Sequence, residues 1–249
     1  MSLKKYLGAF ARRLIGQPRE SEWAIRMRRE NLAFQKILAR CLRPDSNCVD
    51  VGCNRGEWLQ FYQRYAPDGS HHAFEPLPQL AENLRANFPL VTVHQCALSD
   101  QSGTASFFFA RELDGWSGLR RQHYPGGVSA EETVCATEKL DDVIPHATKI
   151  DFIKIDVEGA EHLVLRGARE LIRRWRPTIV FEYAIVHARE FNILPAAFFR
   201  VLYDECGLNI FTLEGSRPLT AVEFTALCEY AHTTAYGRDC EGNFLAVPR

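Results

Sequence analysis

The chain has 249 residues, of which 46% are hydrophobic, and this length suits one large domain or two small ones. The sequence contains no run of about 18 apolar residues, so no membrane-spanning helix is expected. The formal net charge is -1, but residues 1–43 carry 11 Lys/Arg against 3 Asp/Glu, and the acidic remainder argues against a nucleic-acid substrate because phosphate binding needs a positive face.

The N-terminal segment is predicted to form two helices. Residues 3–15 place apolar side chains on one helical face and basic side chains around the other, which is typical of a basic amphipathic helix. Pro18 ends it, and a second helix is predicted from Ser21, a suitable N-cap, to about Leu42. We interpret residues 1–43 as a basic helical extension. Such a segment can lie on an anionic membrane surface, cover its own domain or contact a neighbouring subunit, as in a homodimer.

Strand-like and helix-like runs alternate from residue 47 onward. The predicted strands are short and apolar: Cys48–Val51, His71–Phe74, Val91–Gln95, Phe152–Ile155 and Thr178–Phe181. The helical patterns among them are Trp58–Tyr65, Leu80–Phe88 and Leu163–Arg173. This alternation predicts a Rossmann-like α/β fold with a mostly parallel sheet and helices on both faces.

The remaining segments complete this prediction. A strand is predicted over 105–109, and residues 110–127 form a long loop that we interpret as a lid, because long loops in compact domains are usually functional. After Pro195 the pattern predicts a helix over 196–206, a strand over 208–213, a helix over 221–230 and a last strand over 244–247.

The loop after the first strand has the pattern of a cofactor site. Asp50 ends the strand, and Gly52 and Gly56 bracket a turn in which Asn54 tolerates a positive φ. Glu75 follows the next strand, where an acid can accept hydrogen bonds from both ribose hydroxyls. The G-x-G-x-x-G fingerprint of dinucleotide folds is broken at Asn54. The loop therefore favours S-adenosyl-L-methionine, which carries a ribose and adenine but no phosphate.

A second motif spans Phe152–Glu161. The strand delivers Asp156 at its carboxyl end, and Glu158 and a glycine turn follow. Ligands of open α/β sheets bind at such strand ends, so Asp156 and the first loop are expected to face one crevice. The alternative is that Asp156 caps the following helix while Glu158 and Glu161 favour its N-terminus.

Four stretches together resemble the FkbM-type S-adenosylmethionine-dependent methyltransferases: Val49–Gly56, Phe74–Pro76, Ala97–Asp100 and Phe152–Glu161. The resemblance implies a class I methyltransferase domain over residues 44–249, with a seven-stranded sheet whose last strand is antiparallel. It also implies methyl transfer usually to oxygen, often on sugars or natural-product hydroxyls.

The same resemblance extends the predicted cofactor site, with Glu75 on the ribose, Ala97 and Leu98 beside the adenine, and Cys53 where a small apolar residue is usual. The cofactor residues predicted from the loop and from the resemblance are Asp50, Gly52, Cys53, Asn54, Gly56, Glu75, Pro76, Ala97, Leu98 and Ser99.

Methyl transfer to a hydroxyl needs a base within hydrogen-bond reach of the acceptor. The predicted catalytic residues are Asp156, Glu158, Glu182 and His187, and His123 in the 110–127 loop is a further candidate base. Glu182 or His187 is favoured as the base, with Asp156 positioning the cofactor or the acceptor. These groups could instead hold Mg²⁺ or Mn²⁺, but no fixed metal spacing is visible and no metal is predicted.

We therefore predict an O-methyltransferase acting on a saccharide or natural-product-like small molecule. The cytoplasm is the expected compartment, because the eight cysteines are scattered singly and no secretory signal is evident. One alternative is a nucleotide-dependent oxidoreductase, which would share Glu75 and the strand–helix alternation. Another is a non-catalytic module that docks a partner or membrane through residues 1–43. Methylation of protein or nucleic acid is disfavoured by the acidic body.

Overall fold

The computed structural model describes residues 22–233 and 242–249, and the helix predicted over residues 3–15 lies outside them. The strands of the described residues are β1 (Cys48–Val51), β2 (His71–Phe74), β3 (Val91–His94), β4 (Ala97–Leu98), β5 (Gly103–Phe109), β6 (Glu131–Glu138), β7 (Phe152–Ile155), β8 (Thr178–Glu182), β9 (Leu208–Thr212) and β10 (Asn243–Pro248). The α-helices are α1 (Glu22–Cys41), α2 (Leu59–Tyr65), α3 (Pro78–Asn87), α4 (Leu140–Val143), α5 (Glu161–Gly167), α6 (Arg169–Trp175), α7 (Ile185–Ala188), α8 (Pro195–Arg200) and α9 (Ala221–Thr233).

Seven strands of the described chain form one sheet, in the order β3-β2-β1-β7-β8-β10-β9. β1 pairs in parallel with β2 and β7, and the other neighbours are also parallel except that β10 runs antiparallel to β8 and β9. This confirms the predicted sheet and its antiparallel last strand. The chain moves outward from β1 to β3 and then returns to β7, so the strand order reverses between β1 and β7.

Both faces of this sheet are buried, which is why its central strands are continuous apolar runs. Consecutive residues of β7 point to opposite faces and belong to different clusters. Phe152 packs with the side chains of α1 and α2, whereas Ile153 packs with those of α5, α6, α8 and α9. The predicted helices on both faces are therefore confirmed.

Helix α1 is part of one of these layers. Phe34 is buried, and its ring centroid lies 3.9 Å from that of Trp58 and 5.7 Å from that of Phe152. The described part of residues 1–43 therefore covers the domain, and the boundary at residue 43 stays a prediction. None of the described helices combines the length and apolar character needed to cross a membrane.

Several element boundaries differ from the predicted ones. The helix predicted over 163–173 is two helices, α5 and α6, separated at Ala168, where φ is -116° and ψ is 9°. The α-helical part of the helix predicted over 196–206 ends at Arg200. A π-helical turn, Val201–Glu205, follows it directly. Strand β6 was not predicted, because its sequence is mostly polar and exposed. It pairs with β4 and β5 in a small second sheet beside the main one.

Candidate active site

A cavity of about 310 Å³ lies at the carboxyl ends of β1, β2, β7 and β8. This is where ligands of open α/β sheets bind, next to the reversal in strand order. Most of the residues predicted from the sequence line the cavity: Gly52, Asn54, Glu75, Pro76, Ala97, Leu98, Asp156, Glu158 and Glu182. The two motifs therefore face one crevice, as the sequence indicated.

The loops after β1 and β7 touch at Gly52. Its φ is +77°, and a Cβ there would lie 1.8 Å from the Asp156 carbonyl oxygen. Asn54 also has a positive φ, of 45°. At Gly52, only glycine can combine a positive φ with so close an approach to the Asp156 backbone. The contact brings the cofactor loop against the loop that carries the predicted catalytic acids.

Glu75 is a buried acid fixed in the cavity wall. Its Oε2 accepts a hydrogen bond from the Asn54 backbone N–H at 3.0 Å, and its Oε1 accepts one from the Leu77 N–H at 2.9 Å. A carboxylate has about four acceptor positions, more than the two backbone amides use. This geometry fits an acid that holds a diol.

Two predicted cofactor residues, Asp50 and Cys53, do not line the cavity. Asp50 is buried within β1, and burial raises its pKa to about 7, with Lys154 opposing the shift and Asp156 adding to it. The Cys53 Sγ lies 3.5 Å from the Phe74 carbonyl oxygen, and burial raises the pKa of this thiol well above its ordinary value. Cys53 is therefore a protonated packing residue rather than a nucleophile.

Gly56 and Ser99 also lie outside the cavity wall. A Cβ on Gly56 would meet the side chains of Phe88 at 2.6 Å and Leu84 at 2.7 Å, so this glycine allows the chain entering α2 to pack on α3. The Ser99 backbone N–H donates to the Glu138 carbonyl oxygen at 2.9 Å, which continues the pairing of β4 with β6. Both residues support the site indirectly.

Three acidic side chains meet at the ends of β7 and β8. One carboxylate oxygen from each of Asp156, Glu158 and Glu182 lies within 4.8 Å of the others. The parallel pairing of Ile155 with Phe181 places Asp156 and Glu182 at adjacent strand ends. We call these three residues the carboxylate cluster.

Burial and mutual charge separate the pKa values of the carboxylate cluster. Burial favours a raised pKa for Asp156, but the Lys154 ammonium and hydrogen bonds outweigh it and hold this pKa below its ordinary value. Burial and then the charges of Asp156 and Glu158 raise the pKa of Glu182 well above its ordinary value. Two acids whose environments push their pKa values apart are suited to different roles, because one loses its proton more readily than the other.

His187 lies behind the cavity wall and contacts Glu158 from α7. Its Nδ1 forms an ion pair with the Glu158 carboxylate, and its ring centroid lies 5.1 Å from that of Trp116. Burial lowers the pKa of His187, but the Glu158 carboxylate outweighs burial and raises it. Gly159 permits the close packing of α7, because a Cβ there would lie 2.6 Å from the His187 backbone.

The segment 110–127, predicted as a lid, contributes residues 115–119 to the cavity wall. Phe108 and Gly118 exchange backbone hydrogen bonds of 2.8 and 3.2 Å, and Gln122 Nε2 donates to the Glu158 carbonyl oxygen at 3.0 Å. These bonds attach the segment to β5 and to the loop after β7. His123 is exposed and does not line the cavity, so its geometry does not support it as a base.

The apolar part of the wall was not predicted from the sequence. It comprises Leu77, Leu80, Cys96, Phe107, Trp116 and Leu119 among others. Leu77 could have been found, because it directly follows Glu75-Pro76. The others come from segments that only the tertiary fold brings together.

Comparison with known families decides the class of protein. The family described as the methyltransferase FkbM domain matches residues 50–208, which include both sequence motifs and the strands that carry the cavity. The chain belongs to this FkbM methyltransferase family. Family membership supports S-adenosyl-L-methionine as the cofactor and does not favour the oxidoreductase alternative.

Individual relatives are similar over the same region. The 2-O-methyltransferase NoeI of Sinorhizobium fredii (strain NBRC 101917 / NGR234) is 29% identical over 163 residues, which cover 57% of this chain and 65% of that protein. The 31-O-demethyl-FK506 methyltransferase FkbM of Streptomyces tacrolimicus is 32% identical over 160 residues, covering 52% and 62%. The alignments thus span less than two thirds of either relative. A solved methyltransferase FkbM from Methylobacillus flagellatus KT has 18% identity and a TM-score of 0.49, covering 83% of this chain and 44% of that chain.

Proposed function

We propose that this FkbM-family protein transfers the methyl group of S-adenosyl-L-methionine to a hydroxyl oxygen of a small molecule, either a saccharide or a natural-product-like compound. The names of two relatives support oxygen as the acceptor atom, because they specify 2-O and 31-O positions. The observation that carries the proposal is that Glu75 and the carboxylate cluster line one cavity. An acid suited to a ribose and acids suited to an acceptor proton thus share one ligand-sized space.

The proposed cofactor contacts follow the cavity wall. Glu75 would accept hydrogen bonds from the ribose hydroxyls, because its two oxygens are held in place by the Asn54 and Leu77 amides. The loop at Gly52 and Asn54 would hold the amino-acid end, where no side chain blocks the backbone. Ala97 and Leu98 would border the adenine, and both are buried apolar residues of the wall.

When bound, S-adenosyl-L-methionine supplies an electrophilic methyl group on a positively charged sulfur. The protein has to align the acceptor hydroxyl and remove its proton. We propose Glu182 as the base, because it lines the cavity and its pKa is raised, first by burial. The new oxygen–carbon bond forms as the carbon–sulfur bond breaks, and the hydroxyl proton passes to Glu182. Asp156, hydrogen-bonded to Glu182, would orient it.

His187, the other base favoured by the sequence, is proposed to act through Glu158. It contacts the Glu158 carboxylate, which lines the cavity, whereas His187 itself does not. Glu158 has a φ of 56°, a conformation that a non-glycine residue adopts at a cost. We propose that this conformation and the His187 contact aim the Glu158 carboxylate at the acceptor.

Labelled S-adenosyl-L-methionine tests the acceptor class. Incubation with a panel of saccharides and polyhydroxylated natural products, each paired with its amino analogue, is expected to yield a labelled methyl ether on a hydroxyl compound. Mass spectrometry of the products identifies the modified atom. Label found only on nitrogen, or no transfer to any hydroxyl on the panel, would contradict the proposal.

Replacing Glu182 tests the base. Glu182→Gln is expected to lower turnover by about 100-fold or more, as general-base loss does, with near-normal cofactor affinity. Wild-type turnover should rise with pH through the raised pKa of Glu182, because only the ionised carboxylate accepts a proton. The matched control is Glu190→Gln, at an exposed position after α7, which should leave turnover unchanged. Full activity in Glu182→Gln would remove Glu182 as the base.

A further inference from the structure

Lys154 lies within a charged layer of the sheet beneath the candidate active site. In the parallel pairing of β1 with β7, Asp50 is the register partner of Lys154. Asp156 lies two residues beyond Lys154 on the same side of the chain, and its Oδ2 accepts a hydrogen bond from Lys154 Nζ at 2.8 Å. Lys154 therefore stands between an acid on its own chain segment and an acid on the neighbouring strand.

The Lys154 ammonium is enclosed by protein. Its side chain is 2% exposed, and Nζ lies 5.6 Å from the Trp58 ring centroid. A charged lysine persists at such burial only when opposite charges compensate its lost hydration. Burial favours a lowered pKa, but Asp156 and Asp50 outweigh it and raise the pKa of Lys154. Lys154 is thus a permanent positive charge below the cavity.

The titratable groups around Lys154 and its partner Asp156 come from several elements. The acids are Asp50 on β1, Glu158 after β7, Glu161 on α5 and Glu182 on β8, in addition to Asp156, and the second cation is His187 on α7. The titratable neutral groups that face Asp50 are Tyr62 on α2, Cys48 on β1 and Cys53 in the cofactor loop. The acids in this set outnumber the cations. The acids therefore cannot all be ionised without repulsion between their negative charges. The hydrogen bond from Lys154 selects Asp156 as the acid that ionises first.

We propose that Lys154 is a positioning residue of the candidate active site: its ammonium, hydrogen-bonded to Asp156 on the strand next to Asp50, keeps the Asp156 carboxylate ionised and fixed, so that Glu182 is the member of the Asp156–Glu182 pair that exchanges its proton. Lys154 does not line the cavity and acts through Asp156. Its effect on catalysis rests on the proposed function, whereas its effect on the carboxyl pair exists in the protein without any acceptor.

Charge variants of the full chain test this role. Lys154→Met removes the charge, Lys154→Arg keeps it, and Asp50→Asn removes the opposing acid. Lys149→Met is the matched control, because Lys149 contacts Asp151 with the same Lys-x-Asp spacing but has a side chain that is 59% exposed. The readout is carbon-13 NMR titration of the side-chain carboxyl groups without acceptor, with signals assigned through Asp156→Asn and Glu182→Gln.

The Glu182 titration midpoint is expected to rise by about 1–3 pH units in Lys154→Met, because the Lys154 charge lowers the pKa of Glu182 and a nearby cation can lower a carboxyl pKa by that amount. It should stay near the wild-type value in Lys154→Arg and Lys149→Met, and fall in Asp50→Asn. The rise of methyl-transfer turnover with pH should move in parallel with this midpoint, while cofactor affinity stays within about twofold, since Lys154 does not line the cavity.

An unshifted midpoint in Lys154→Met would overturn the inference even if methyl transfer is observed, and so would an equal shift in Lys149→Met. A shifted midpoint without transfer to any hydroxyl would support the inference and contradict the proposed function instead. If Lys154→Met does not fold, Asp50→Asn/Lys154→Met removes both buried charges together. Its midpoint should then lie above that of Asp50→Asn alone, and equal midpoints would overturn the inference.

Discussion

The Glu75 carboxylate illustrates how single residues prepare this site for a ligand. Two backbone amides, of Asn54 and Leu77, orient the carboxylate, and its burial removes competing water. An acceptor fixed in this way loses little conformational freedom on binding, which favours affinity. The residue's role can be tested on cofactor binding alone, without knowledge of the acceptor.

Glu75→Ala is expected to weaken S-adenosyl-L-methionine binding by about 100-fold or more, because hydrogen bonds to a charged acceptor contribute about 1.5–3 kcal/mol each. Isothermal titration calorimetry on the folded variant provides the measurement. Glu57→Ala is the control, since Glu57 lies in the same loop region but is exposed. Unchanged affinity in Glu75→Ala would refute the ribose role.

At the scale of elements, the site depends on the contact between the loops after β1 and β7. Gly52 and the Asp156 backbone approach so closely that no side chain fits between them. The residues proposed to bind the cofactor are therefore in direct contact with the segment that carries the carboxylate cluster. A change that separates these loops should affect cofactor binding even though it alters no polar group.

Gly52→Ala combines an unfavourable φ of +77° with a Cβ placed 1.8 Å from the Asp156 carbonyl oxygen. Gly207→Ala is its control, because Gly207 has a similar φ of +69° with no atom within 4 Å of the added Cβ. Both variants should lose about 1–2 kcal/mol of stability from the left-handed conformation. Only Gly52→Ala should lose more than this and also lose cofactor affinity, as measured by chemical unfolding and calorimetry. Equal losses in the two variants would show that the loop contact has no energetic importance.

At the scale of the whole molecule, buried acids make the stability of the fold depend on pH. Glu161 is buried, and its Oε1 accepts backbone hydrogen bonds from Val157 at 3.1 Å and Gly159 at 3.2 Å. Burial nevertheless raises the pKa of Glu161 to about 7. The folded state then binds this proton more tightly than the unfolded chain does. The contribution of Glu161 to stability is complete below its ordinary pKa and is lost as the pH rises toward 7.

Glu161→Gln keeps a side-chain oxygen for the two backbone bonds but removes the ionisation. Between pH 4.5 and 8, the free energy of unfolding should fall in both proteins, but less in Glu161→Gln. The difference between the two decreases should be up to about 3 kcal/mol. Urea unfolding at both pH values measures this difference. Glu132→Gln on exposed β6 should retain the wild-type pH dependence. A Glu161→Gln variant with the same dependence as the wild type would contradict the raised pKa.

The sequence by itself determined the central strands, the glycine-containing turn after β1 and the methyltransferase family. These features are local: a few apolar residues buried on both faces form a strand, and Gly52 and Asn54 supply the positive φ values that the next turn requires. Strand β6 escaped prediction because its mostly polar residues gain their order from pairing with β4 and β5.

Only the tertiary structure decided which of the predicted acids and bases reach the cavity. Glu182, the last residue of β8, lines the cavity, whereas His187 on α7 does not, although the sequence favoured them equally. Asp50 and Lys154, far apart in the chain, become register partners on adjacent strands. A group's access to ligand and its pKa depend on burial and on charges within a few ångströms, and those distances exist only once the chain has folded.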